Sequence, residues 1–196
     1  MTKNNRLYDL SEIYMIIYKG IRTVSYMSKA RKHNQMDHQF IERIMLAVTE
    51  VNGCDICSYA HTKMALESGM SNEEIQNMLA GEIIDVPKQQ VQAIMFAQHY
   101  AESRGKPSTK SWDQIVENYG ESLALGILGS IRAIMMGNVL GIPWNSFFKR
   151  FKGQSDKRSS IFYELEVMIL GSLFTPIGLI HAILSSLLKQ EIIAIY

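Results

Sequence analysis

Apolar residues recur every three or four positions along most of the chain, which is the spacing of one face of an α-helix. Near the N-terminus, this apolar stripe consists of Leu10, Ile13, Ile17, Ile21 and Val24. The stripe predicts a first helix from about Leu7 to Met27. The chain contains no convincing run of alternating apolar and polar residues, which is the pattern of a half-buried strand. The pattern therefore predicts an all-α fold without a sheet of any size.

Polar and turn-forming residues divide the next part of the chain into two further helices. Lys29 to Met36 is polar and is predicted to be a connection, after which Asp37 provides an N-cap. Asn52-Gly53 predicts the end of the second helix, because both residues tolerate the left-handed conformation found there. A third helix is then predicted from near Cys54 to about Ser68.

The same signals predict the helices of the second half. Pro87 opens one helix, and Ser111 is predicted to cap another that ends at Gly120. A long apolar helix is predicted from Leu123 to Leu140. The tripeptide Gly141-Ile142-Pro143 predicts its end, because proline removes a backbone donor and disfavours helix for the residue before it.

The C-terminal part of the chain differs from the rest in composition. Lys149 to Ser160 is polar and is predicted to be a linker, and Val167 to Leu188 contains 22 residues without a charged side chain. This length is enough for a membrane span, which needs about 20 residues. Thr175-Pro176 and Gly178 lie near its centre, however, and favour two shorter helices packed on the core or on a neighbouring subunit. Membrane association is therefore not favoured.

These boundaries predict three parts: a helical domain over residues 1–148, a linker over 149–160 and an apolar helical extension over 161–196. Lys+Arg 20 against Asp+Glu 19 leaves a formal charge of +1, which disfavours a nucleic-acid partner. Asp9 and Glu12 interrupt any secretory apolar region near the N-terminus. With only two cysteines, which stand three positions apart, the expected location is cytoplasmic.

The two cysteines and one histidine form the strongest chemical signal in the chain. Cys54, Cys57 and His61 stand at positions i, i+3 and i+7 and therefore share one face of the third helix. Unpaired N–H groups and the helix dipole stabilise a thiolate in the first turn. A thiolate there can attack a peroxide or a disulfide, and the second cysteine can then close an intramolecular disulfide.

Other interpretations of the cysteine pair remain open at this point. A structural zinc site needs four ligands, and this helical face supplies only three. His33, His38 or His99 could supply a fourth, but none belongs to a second pair at zinc-binding spacing. Two inert buried thiols would also give this pattern, since free cysteine is often buried. Neither a metal nor a cofactor is predicted.

Two glutamates precede the cysteines on the second helix. Glu50 lies four residues before Cys54, across the turn at Asn52-Gly53, and Glu42 lies twelve residues before it. A carboxylate in apolar surroundings needs a partner. If Glu42 faces the cysteine helix, it can hold His61 and complete a relay that removes the proton of Cys57.

The pattern Glu42-x11-Cys54-x2-Cys57-x3-His61, within "ERIMLAVTEVNGCDICSYAHTKMALESGMSNEEI", resembles the AhpD-like alkylhydroperoxidase and carboxymuconolactone decarboxylase superfamily. The segments "AIMFAQHYAESRGKPSTKSWDQI" and "GNVLGIP" are also similar to that superfamily, so the resemblance covers residues 37–143. It implies an all-α, AhpD-like helical bundle that assembles as trimers or hexamers. It also implies a peroxidase whose reductant is a thiol or a dihydrolipoyl group.

Carried over to this chain, the resemblance implies that Cys57 attacks the substrate and that Cys54 resolves the intermediate. His61 and Glu42 match the proton relay, and Glu50 is expected to assist from the helix junction. AhpD has a second histidine between its cysteines where this chain has Ile56, which leaves the efficiency and the reductant open.

The predicted function is that of a thiol-dependent peroxidase or disulfide oxidoreductase acting on a small peroxide or disulfide. One alternative is a cofactor-free decarboxylase or lyase on the same scaffold, although the true decarboxylases of the superfamily lack the cysteine pair. The other is a non-catalytic binding or assembly protein in which the cysteine pair is a redox switch or a metal clip.

Overall fold

A computed structural model describes residues 6–192, and within that range all regular structure is helical. The α-helices are α1 (Leu10–Lys32), α2 (His38–Asn52), α3 (Asp55–Glu67), α4 (Asn72–Leu79), α5 (Val91–Glu102), α6 (Thr109–Arg150) and α7 (Ile161–Leu187). A single 3-10 turn, Lys88–Gln90, precedes α5. The all-α prediction is therefore confirmed. Residues 1–5 and 193–196, which include the end of the predicted C-terminal extension, lie outside the described residues.

The N-terminal caps explain where several helices begin. The Asp37 carboxylate accepts a hydrogen bond from the Phe40 amide at 2.7 Å, as the sequence predicts for α2. Gly53, with φ 65°, ends that helix in the left-handed conformation. The predicted cap at Ser111 is wrong: Ser108 is the N-cap of α6, and its hydroxyl accepts from the Ser111 amide.

Helix α1 extends five residues beyond its predicted end and replaces half of the predicted connection. Its last turn carries Lys29, Arg31 and Lys32, whose charges interact favourably with the negative end of the helix dipole. Ala30 in this turn is buried against α6, where an added Cβ on Gly126 would lie only 2.5 Å from the Ala30 Cβ. Tertiary packing thus extends a helix that the polar sequence disfavours.

Helix α6 continues past Gly141-Ile142-Pro143 to Arg150, so the predicted end at this tripeptide is wrong. Pro143 removes one backbone hydrogen bond, but Ile142 and Pro143 are both buried, and their packing favours the continuous helix. Gly120 does interrupt α6, as predicted, since its backbone (φ 72°, ψ 157°) is not helical.

Helix α2 lies at the centre of the fold, and every residue from Phe40 to Asn52 is buried. Helices α3, α4, α5 and α6 all pack against it. Because α2 is covered on all sides, the charged groups that it carries, including Glu42 and Glu50, are removed from bulk water. Such groups need polar partners within the protein.

Helix α7 is one continuous helix, not the predicted pair of shorter ones, although Pro176 lies inside it. Its inner face packs on α1 and α6 along its length. Gly178 lies against Ile17 and Ile21, and the Tyr18 hydroxyl donates to Ser185 at 2.9 Å. These contacts to α1 occur beyond the proline and hold the helix in one direction despite the missing hydrogen bond.

The opposite face of α7 is apolar and exposed. We call this set the outer face of α7: Phe162, Leu165, Ile169, Leu173, Ile177, Ile180, Leu184 and Leu187. Among the described residues, two helices, α6 and α7, are long and apolar enough to cross a membrane, judged by length and composition alone. The two helices differ in burial. Of the 18-residue apolar stretch in each helix, 67% is buried in α6 and 22% in α7.

We expect substitution of Gly129 by alanine to destabilise the protein, because the contact between α1 and α6 leaves no room for a methyl group. An added Cβ would lie 2.7 Å from the Thr23 carbonyl oxygen and 3.0 Å from the Met27 amide nitrogen. Both are backbone atoms, so a helix must move, which costs about 1–3 kcal/mol. Urea denaturation followed by circular dichroism measures the loss.

Gly137→Ala is the matched control for this experiment. It lies in the same helix, and an added Cβ there would meet only Ile134 Cδ1, at 3.8 Å. Alanine should raise the free energy of unfolding at this position by about 0.5–1 kcal/mol. If Gly129→Ala and Gly137→Ala change the free energy of unfolding by the same amount, the close packing of α1 on α6 at Gly129 is contradicted.

Candidate active site

The two cysteines form a disulfide at the start of α3. Cys54 is the N-cap residue of that helix and Cys57 lies in its first turn, with their Cα atoms 5.3 Å apart. Cys57 is 9% exposed and Cys54 is 1% exposed. The α2–α3 turn at Gly53 directs the chain so that both sulfur atoms lie at the positive end of the helix dipole, as the sequence predicts.

Helix α6 passes directly over the disulfide at Gly141. A Cβ at this position would lie 3.1 Å from Cys57 Sγ, 3.2 Å from Cys54 Sγ and 3.3 Å from Ile56 Cγ2. The helix backbone therefore forms one wall of the site. From the sequence, Gly141 is predicted only to end a helix and not to be a site residue. Its position in the segment "GNVLGIP" is the signal that could have indicated this role.

The histidine and the first glutamate are in direct contact. His61 Nδ1 lies 2.8 Å from Glu42 Oε2, and this contact joins α3 to α2. Glu42 is 1% exposed, so its carboxylate depends on protein partners in place of water. An ionised carboxylate can only accept, so Nδ1 carries the hydrogen and Nε2 of a neutral His61 is left as an acceptor.

A second histidine, His38, also contacts Glu42. Its Nε2 atom lies 3.4 Å from Glu42 Oε1, across one turn of α2. The carboxylate of Glu42 therefore lies between two imidazole rings. From the sequence, His38 is predicted only as a possible zinc ligand, although its i, i+4 spacing to Glu42 is the usual signal for a side-chain pair on a helix.

Glu50 lies in the last turn of α2, two turns beyond Glu42, and is 7% exposed. The carboxylate that pairs with His61 is that of Glu42. Glu50 is thus a buried carboxylate at the junction between the two helices, as its spacing to Cys54 indicates. The structure brings Glu42 and His61 together and places Glu50 at the other end of the same helix.

Arg158 reaches the turn before the cysteines from the segment between α6 and α7. Its guanidinium donates to the carbonyl oxygens of Asn52 at 3.0 Å and Gly53 at 3.1 Å. Burial raises the pKa of Asp156, but hydrogen bonds from Arg158 outweigh this effect and hold the pKa below its usual range. Asp156 thereby holds the guanidinium in place.

These contacts give Arg158 a role that its local sequence does not indicate. It places a positive charge at the peptide that precedes Cys54 and satisfies two carbonyl groups at the end of α2. From the sequence, Arg158 is predicted only to be part of a polar linker, because nothing in the local sequence indicates its distant partners. Lys149 and Asp55 form a further ion pair at 2.9 Å between α6 and the start of α3.

Among residues 6–192, no group of three or more His, Cys, Asp or Glu side chains is arranged to hold a metal ion. Ile56, which stands between the cysteines, is 47% exposed. The side chain at the position of the AhpD histidine is therefore an apolar group beside the disulfide.

Comparison with known protein families gives a match over the segment that contains the cysteine pair. Residues 21–99 match the model of the carboxymuconolactone decarboxylase family. This range contains α2, α3 and the two cysteines, together with Glu42 and His61, and it confirms the superfamily that the motif indicates. No curated protein and no solved structure matches the chain.

We expect Gly141→Ala to destabilise the oxidised protein more than the reduced protein. In the disulfide both sulfur atoms are held within 3.2 Å of the added Cβ, whereas reduced side chains can change rotamer. We expect a loss of about 1–2 kcal/mol in the oxidised form, which urea denaturation with and without dithiothreitol measures. If the loss is the same in both forms, Gly141 acts only through helix packing.

Proposed function

Since residues 21–99 belong to the carboxymuconolactone decarboxylase family, within the AhpD-like superfamily, we propose that this chain is a thiol-dependent peroxidase or disulfide oxidoreductase. The observation that carries the proposal is the Cys54–Cys57 disulfide at a helix N-terminus, with His61 on the same helix held by the buried Glu42. A pair that closes a disulfide across one helical turn can store and release two electrons.

In the proposed cycle, the reduced pair begins as two thiols. His61 Nε2 takes the proton of Cys57, because Nδ1 is engaged by Glu42 and Nε2 is the ring nitrogen left to accept. The α3 dipole stabilises the resulting thiolate. Cys57 is the more exposed of the two cysteines, which supports its assignment as the attacking group.

The thiolate then attacks the terminal oxygen of the peroxide. A sulfur–oxygen bond forms, the oxygen–oxygen bond breaks, and the leaving alkoxide takes the proton from His61 to become an alcohol. Cys57 is now a sulfenic acid. Cys54 attacks the Cys57 sulfur, the disulfide forms, and the hydroxyl group leaves with the Cys54 proton as water.

A dithiol reductant completes the cycle. It transfers two electrons and two protons to the Cys54–Cys57 disulfide and is itself oxidised to a disulfide. The guanidinium of Arg158, at the peptide before Cys54, and the α3 dipole both favour negative charge on sulfur during this exchange. A small disulfide in place of the peroxide would enter the same cycle by thiol–disulfide exchange.

We expect pre-reduced protein to consume peroxide with dithiothreitol or dihydrolipoamide as reductant, and Cys57→Ser to lose this turnover at least about a hundredfold, because serine is a far weaker nucleophile. Peroxide is followed by a colorimetric assay, and circular dichroism checks that the variant is folded. Ser58→Ala, one position further along α3, is the matched control and should retain turnover.

Retained turnover in Cys57→Ser would contradict the assignment. Cysteine-independent conversion of a carboxylated substrate would instead favour the lyase alternative. If both proteins are inactive and wild type binds zinc stoichiometrically, the cysteine pair is a metal clip.

We also propose that the chain assembles with itself through the outer face of α7. This face is a continuous apolar stripe, and the family resemblance implies trimers or hexamers. Light scattering of detergent-free protein should give a defined oligomer, and Ile169→Lys, at the middle of the stripe, should shift it toward the monomer. Lys63 is exposed on α3, away from this face, so Lys63→Met is the control and should leave the oligomer unchanged. Strict partitioning of wild type to membranes would contradict this proposal.

A further inference from the structure

A cavity of about 260 Å³ lies between α1, the end of α5 and α6. One side is apolar, and we call it the apolar wall: Met15, Ile16 and Met135. The other side carries three cationic residues, which we call the cationic cluster: Lys19, Lys106 and Arg132. None of the residues that line the cavity belongs to the disulfide site. The cavity is therefore a separate candidate site.

Positive charge predominates among the residues that line this cavity. Four cationic side chains and one carboxylate give a formal charge of +3. The single carboxylate, Glu12, is already bound by Arg104 through two hydrogen bonds of 2.6 and 2.8 Å. The charge of Glu12 is thus balanced by Arg104, and the other three cationic residues that line the cavity are those of the cationic cluster.

Arg132 is the most deeply buried member of the cationic cluster, at 4% exposure. It donates to the Tyr100 hydroxyl at 2.8 Å and to the Ile192 carbonyl at 3.1 Å, both of which are neutral acceptors. A buried guanidinium bound by neutral groups retains its full charge and attracts an anion strongly, because the surroundings screen it less than water does.

Lys19 shows the effect of this charge. Burial, together with the positive charges of Arg132 and Lys106, lowers the pKa of Lys19 to about 8. Its ammonium group also donates to the Gly105 carbonyl oxygen, at 3.4 Å. An anion placed in the cavity would reduce the repulsion among the three cations and favour the protonated form of Lys19.

We propose that this cavity binds a small organic carboxylate with a short apolar chain. The carboxylate lies within the cationic cluster, where a guanidinium can donate to both of its oxygens. The chain lies on the apolar wall and contributes by burial of its surface. The volume limits the ligand to a few carbon atoms, and a larger acid would have to extend into solvent.

The dependence of binding on pH follows from the groups that face Lys19. Glu12 lies near Lys19 on the same helix, α1. Arg104 and Lys106 face Lys19 from the turn after α5. Tyr100 faces it from α5, and Arg132 faces it from α6. Hydrogen bonding to Arg104 lowers the pKa of Glu12, and Glu12 raises that of Arg104, so both stay charged near neutral pH. Lys19 loses its proton as pH rises through about 8, and affinity falls over that range.

Isothermal titration calorimetry of the full chain with hexanoate tests the proposal. We expect saturable binding at pH 6.5 and binding at least about tenfold weaker at pH 9.5, which corresponds to about 1.4 kcal/mol. Lys19→Met should weaken binding at pH 6.5 by a similar factor and should remove most of the pH dependence. Lys110→Met, an exposed lysine at the start of α6, is the matched control and should bind as wild type does.

Hexan-1-ol and inorganic phosphate separate the two parts of the ligand. Hexanol has the chain without the charge, phosphate has the charge without the chain, and both should bind at least about tenfold more weakly than hexanoate. The proposal is overturned if either binds as tightly, if Lys19→Met binds as wild type does, or if hexanoate gives no saturable heat. If Lys19→Met does not fold, the exposed Lys106→Met replaces it and should also weaken binding.

Discussion

Helix α6 lies so close to its neighbours that a methyl group does not fit at several of its glycines. At Gly129 an added Cβ would lie 2.7 Å from the Thr23 carbonyl oxygen of α1, and at Gly141 it would lie 3.1 Å from Cys57 Sγ. A gap of about 0.5–1 Å already forfeits a quarter to a half of the dispersion attraction, so the close approach of α6 stabilises its contacts with α1 and with the disulfide. The same helix therefore positions α1 and forms a wall over the disulfide.

The two candidate sites that contact α6, the disulfide site and the α1–α6 cavity, differ in the partners of their buried charged groups. Beside the disulfide, the carboxylate of Glu42 lies between His61 and His38, two groups that can share or release a proton. In the α1–α6 cavity, positive charge exceeds negative charge among the lining residues, and Arg132 binds neutral oxygens. A site of the first kind is suited to proton transfer, because an imidazole ring has one nitrogen that can accept a proton and one that can donate a proton. A site of the second kind is suited to binding an anion.

Much of the fold follows from local signals. Asp37 and Gly53 bound α2 as the sequence predicts, because a cap and a left-handed residue act on the adjacent backbone alone. Two of the predictions that failed concern Pro143 and Pro176, which both lie inside continuous helices. Proline costs a helix one hydrogen bond, but packing of the surrounding residues on other helices can outweigh that cost, and the local sequence does not contain this information.

The sequence by itself determined which candidate reactive groups share one face of α3. The spacing of Cys54, Cys57 and His61 places them on one helical face, because helix geometry depends only on position along the chain. Glu42 lies on a different helix, so its contact with His61 could be predicted from the sequence only on the condition that α2 faces α3. Only the tertiary structure decided which distant groups complete the two sites. Arg158 reaches the peptide before Cys54 from 105 residues away, and the cationic cluster comes from three separate segments. Such contacts depend on how helices pack, and packing is a property of the whole chain.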